Sequence, residues 1–87
     1  MSTRIGGHTA DMLALKSNFE RQSGTIDTLR TELRNQLTNT DWDGRAADAF
    51  RASWADYERV LIRMAGDLAD AAREVQARVQ MLQDADA

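Results

Sequence analysis

Residues 50–82 run FRASWADYERVLIRMAGDLADAAREVQARVQML, and the spacing of their apolar side chains decides the fold. Phe50, Trp54, Tyr57, Leu61, Met64, Leu68, Ala71, Val75, Val79 and Leu82 recur by fours and threes. A period near 3.5 held for about nine turns predicts a long α-helix that packs in the left-handed manner of a coiled coil. Ala47, Ile62, Ala65, Ala69 and Ala72 form a second set beside this stripe and widen the apolar arc to nearly half of the circumference. Asp48, Asp56, Arg59, Arg63, Asp67, Asp70, Glu74 and Ala77 take the opposite, solvated face.

Toward the N-terminus, Met12, Leu15, Phe19, Ile26, Leu29, Leu33 and Leu37 keep to one helical face of roughly 100°. Thr9 is placed as its N-cap, and Asp11 favours the positive end of the helix dipole. Gln22 and Gln36 stand where an aliphatic residue is expected, and Gly24 lies mid-helix at a cost of about 1 kcal/mol relative to alanine. Thr38-Asn39-Thr40-Asp41 ends the helix, because short polar side chains compete for backbone hydrogen bonds. The expected organisation is one domain over 1–87, with helix 1 over about 9–38, a turn over about 39–44 and helix 2 over about 45–82.

A short turn makes this pair an antiparallel all-α hairpin. Helix 1 is narrower than the apolar arc of helix 2, and a lone hairpin has no second layer to cover the remainder. A stripe of ten half-exposed side chains forgoes on the order of 10 kcal/mol, which predicts that the hairpin dimerises into a four-helix bundle. Phe19, Ile26, Leu29, Leu33, Phe50, Trp54, Tyr57, Leu61, Ile62, Met64, Ala65, Leu68, Ala69 and Val75 are the candidates for the dimer or bundle core. The strip of Ile62 and its alanine neighbours is expected to be the part that helix 1 leaves uncovered.

Composition excludes much else. The 87 residues include no cysteine, no proline and one histidine, His8, so thiolate sites, disulfides and paired-histidine metal sites drop out, and no cofactor is expected. Net charge is −3, with five basic and four acidic groups in residues 1–40 and six and ten in 41–87. Neither half is a basic patch, so nucleic acid is not an expected partner. Val60-Leu61-Ile62 is the longest aliphatic run, far short of the roughly twenty residues that span a bilayer. Arg4 has no apolar stretch behind it, so no cleavable secretory signal is expected. His8 has no nucleophile to activate, and Asp67 and Asp70 lie on the solvated face, so the chain is not expected to be an enzyme. Met12, Met64 and Met81 read as gap-fillers of a core. Ten arginines against one lysine, Lys16, fit a GC-rich coding bias such as an actinobacterial source carries.

The turn Asn39-Thr40-Asp41-Trp42-Asp43-Gly44-Arg45 admits two chemical readings. Asn39, Asp41, Asp43 and Gly44 match the first positions of an EF-hand loop, but the twelfth position, which must supply a bidentate acid, is Phe50. The structural reading has Asp43 cap helix 2, Gly44 take an unusual φ and Trp42 close the bundle end. Trp42-Asp43-Gly44 at mid-chain, followed by Ala47, Phe50 and Trp54, resembles the WXG family of small ESAT-like proteins of bacterial type VII secretion. The resemblance covers essentially the whole chain.

It implies a non-enzymatic protein that is cytoplasmic before export, leaves the cell as a folded helical dimer without a cleavable signal peptide, and acts by protein–protein association. It also implies that Trp42 and Gly44 are read, with a C-terminal motif of the dimer, by the secretion ATPase; the bundle-closing role of both residues stands beside this one. The family's C-terminal motif, a tyrosine followed by an acid after helix 2, has no counterpart, because the one tyrosine, Tyr57, lies inside helix 2. A partner that carries the motif is therefore expected, a second WXG-type subunit in a heterodimer, with a homodimer as the other possibility. The alternative function is an intracellular helical-hairpin adaptor that binds another helical protein.

Overall fold

The computed structural model describes the backbone of residues 2–86 and the side chains of residues 8–85. Two helices, α1 (Ser2–Asn39) and α2 (Arg45–Asp86), form an all-α antiparallel hairpin with Cα extents of 66 × 16 × 12 Å. α1 begins well before Thr9, which lies half-buried within the helix and is not its cap. With no proline to stop it, the alanine- and arginine-rich chain continues as helix toward both ends.

α1 ends where Thr38 and Thr40 donate their hydroxyls back to the carbonyls of Arg34 and Gln36, at 2.9 and 2.6 Å. The Thr40 N–H closes a tighter last turn on the Leu37 carbonyl at 3.3 Å. Gly44, at φ 94°, then starts α2, and its carbonyl accepts the Asp48 N–H at 3.0 Å. Gly44 itself is thus the N-cap. The Asp43 side chain makes no hydrogen bond among the described residues, which corrects the capping role expected for it.

The seam between the helices differs from the one the apolar spacing predicts. α1 turns Met12, Lys16, Phe19, Ser23, Ile26, Arg30 and Leu37 toward α2, all at least half-buried. α2 answers with Ala47, Trp54, Glu58, Leu61, Ala65, Leu68, Ala72, Val75 and Val79. Both rows alternate threes and fours, the mark of coiled-coil packing. The Ser23 hydroxyl donates to the Ala65 carbonyl at 2.7 Å, and one heptad further along each helix Arg30 meets Glu58 at 3.1 Å, so the register is constant.

Of the strip expected to be uncovered, the alanines are therefore covered by α1, while Ile62 stays exposed as expected. Ala47 and Ala72 are, with Val79, the fully buried apolar residues of the described chain, and Ala65 and Ala69 are half-buried. Small side chains allow the closest approach of two helix backbones, and that approach places Ser23 within hydrogen-bonding reach of a main-chain carbonyl. Of the expected stripe, Trp54, Leu61, Leu68, Val75 and Val79 stay in the seam, and Phe50, Tyr57, Met64 and Leu82 are displaced to the flank.

Candidate association face

Three fully buried side chains are too small a core to hold an 87-residue chain in isolation. The chain exposes 6612 Å², against about 5,100 Å² for a compact protein of its mass. A rod of this shape exposes more than a compact protein, and part of what it exposes is apolar. Phe50, Tyr57 and Met64 form one row of α2, seven residues apart, and are 41, 55 and 46% exposed. Leu15 and Leu29 form the neighbouring row of α1 with Gln22 and Gln36 between and after them, and all four are exposed.

A groove near the turn is lined by Leu33, Gln36, Leu37, Thr40, Phe50 and Trp54, which puts the exposed row of α1 and that of α2 on the same side of the hairpin. At the other end, Met12, Arg78, Met81, Leu82 and Ala85 line a second groove on that side. Between them the rows Met12–Phe19–Ile26–Leu33 and Leu15–Gln22–Leu29–Gln36 of α1 meet Trp54–Leu61–Leu68–Val75 and Phe50–Tyr57–Met64–Ala71 of α2; the last row continues to Arg78 at the far end, the one charged side chain described on these rows, and it is paired with Glu74. Contiguous exposed apolar surface is the kind of surface on which interaction sites are found.

The opposite side is closed by charge. Glu58, 16% exposed, accepts from the Arg30 guanidinium at 3.1 Å and from Arg34 Nε at 2.8 Å, and Asp27 lies 2.9 Å from the other arm of Arg30. Burial pushes the Glu58 carboxyl up, but the hydrogen bonds from Arg34 and Arg30 and their positive charges outweigh it, and the carboxyl titrates below its usual range. Hydrogen bonds to Asp27 and Glu58 hold the Arg30 guanidinium still more firmly protonated. Ile62 lies on this side with Ala69 and Gln76, half-exposed and apart from the large apolar rows.

The candidate core residues thus divide three ways. Phe19, Ile26, Trp54, Leu61, Ala65, Leu68, Ala69 and Val75 are half-buried within the hairpin; Leu29, Leu33, Phe50, Tyr57 and Met64 stand exposed on the apolar face; Ile62 stands on the other side. Sequence reasoning misses Lys16, Ser23, Arg30 and Glu58. Their 3–4 spacing on the seam is legible, but polar side chains are invisible to a search for apolar stripes.

At the turn, Trp42 lies tilted on Phe50 with ring centroids 5.5 Å apart. Its carbonyl accepts from the Arg51 guanidinium at 2.6 Å, and Arg51 also sits 3.5 Å from Asp48. The indole is held in place yet remains 38% exposed at the tip of the rod. No Cβ contact constrains Gly44: a side chain there meets nothing within 4 Å, and only its positive φ demands glycine.

The structure is thus a two-helix rod with a largely apolar flank and a fixed aromatic tip. The chain matches the family model WXG100, proteins of 100 residues with WXG, over residues 5–87, and it belongs to that family. No curated protein and no solved structure matches it. The family is one of small helical proteins associated with type VII secretion, whose members typically pair with each other and are not known enzymes. Among the described residues, no helix is long and apolar enough to cross a membrane.

Proposed function

We propose that this chain is a non-enzymatic partner module of type VII secretion, exported as a folded dimer in which a second helical hairpin covers the Leu29–Leu33–Phe50–Tyr57–Met64 face to complete a four-helix bundle. The observation that carries this reading is the largely apolar, half-exposed face on a hairpin with little buried core of its own among the described residues. Completing the burial of Leu15, Leu29, Leu33, Phe50, Tyr57, Met64 and Leu82 contributes on the order of 7 kcal/mol, enough to offset an association cost of at least about 4 kcal/mol. The Trp42 ring, fixed by Phe50 and Arg51 at the bundle end, serves as the element that the secretion ATPase reads, with Gly44 setting the backbone that presents it.

Fractionation of culture filtrate and lysate from cells carrying a type VII system tests the proposal. The wild-type chain is expected in the filtrate, and a folded Trp42→Ala variant is expected to stay in the lysate. A wild-type chain confined to the lysate, bound there to another helical protein, would replace export with an intracellular adaptor role.

A further inference from the structure

The described side chains of the row that borders the apolar face on α1 are Asp11, Asn18, Thr25 and Glu32; those of the row that borders it on α2 are Ser53, Val60, Asp67, Glu74 and Met81. Among the described side chains both rims carry acids and neither carries a base of its own. Asp11 and Glu32 make no ion pair among the described residues, and Asp67 has only a distant one, 3.8 Å to Arg63. Glu74 is engaged by Arg78 at 2.9 Å, and Arg21, from the next row out, is held by the Asn18 side chain at 2.7 Å.

A second copy turned end for end, with its apolar rows overlapping along the full rod, pivots about Gln22 on α1 and Gly66 on α2. In that register the Asp11 position of one copy comes beside the Glu32 position of the other, twice, and the two Asp67 positions come beside each other at the pivot. The apolar faces match while the rims oppose. Resting on the association reading above, we infer that Asp11, Glu32 and Asp67 select against a second copy of this chain, and that the partner is a different helical hairpin with lysine or arginine on the rims of its own apolar face. Like charges set against each other at an interface penalise the wrong partner, while complementary ones raise both affinity and association rate.

The test uses the chain against itself. The Asp11→Lys, Glu32→Lys, Asp67→Lys variant keeps the apolar face and changes three exposed side chains, so circular dichroism is expected to match wild type. Sedimentation equilibrium at low salt should then give a mixed dimer of wild type and variant about tenfold tighter than either homodimer, with the gap closing at about 0.5 M salt as the charges are screened. Wild type alone should associate more tightly as salt is raised. Wild-type homodimers as tight as the mixed dimer, with no salt dependence, would overturn the charge selection and leave the association face standing. No association in any mixture at any salt would overturn both.

Discussion

The two long sides of the hairpin are made from the same two helices and have opposite chemistry. On one side Arg34 and Arg30 close over Glu58 beside an alanine strip, and Ile62 and Leu13 are isolated apolar residues. On the other, Leu15, Leu29, Leu33, Phe50, Tyr57 and Met64 form apolar rows that meet a charge only at Arg78, near the end of the rod away from the turn. The difference teaches that folding and association are written on adjacent rows of one heptad pattern. Small residues and an ionic cluster fix how α1 lies on α2, and the bulk that this close fit displaces becomes the surface offered to a partner.

The comparison breaks most sharply if a charge enters one side and then the other. Tyr57→Glu with Met64→Glu is expected to weaken association at least about a hundredfold, since the carboxylates would be buried unpaired, whereas Ile62→Glu should change it less than about threefold, both read by sedimentation. Filling the closed side comes next. Ala72→Leu forces a larger side chain into a position with almost no free surface and should destabilise the hairpin by about 1–3 kcal/mol in chemical denaturation. Gly44→Ala has room for its methyl group but not for its φ, and should cost about 1–2 kcal/mol without altering the dissociation constant of the dimer.

The smallest expected effect is one of pH. The folded-state carboxyl of Glu58 titrates below its unfolded value, so its stabilisation is fully present above the ordinary glutamate pKa of about 4.3 and is lost as pH falls through and below it. Thermal melts of wild type between neutral and acid pH should therefore fall more steeply over that window than melts of Glu58→Gln. Equal slopes would show that Arg30 and Arg34 do not favour the charged form.

Much of this architecture is legible in the amino-acid sequence. The break at Thr38–Gly44 between two long helical patterns gives the hairpin, and Trp42-Asp43-Gly44 gives the family. What the spacing does not reveal is which flank of α2 turns inward. Phe50, Tyr57 and Met64 are larger and more apolar than Glu58, Ala65 and Ala72, so a stripe chosen by hydrophobicity alone settles on the wrong neighbour row. Closest approach of backbones favours the small row instead, and Glu58 becomes tolerable there because Arg30 and Arg34 reach it. The same bias on α1 selects Leu15 and Leu29 over Lys16, Ser23 and Arg30; the inward positions of Ser23 and Arg30 depend on partners 42 and 28 residues away along the chain.

Because the chain has no cysteine, single thiols placed at Met64 and at Ile62 report on the two sides separately. Labelling rates of Met64→Cys and Ile62→Cys, followed as protein concentration is raised at high salt, test the unfinished face directly. Protection that grows with concentration at position 64 while position 62 stays fully reactive is the expected result. Reactivity at 64 that never changes while the chain remains folded and position 62 becomes protected would contradict it.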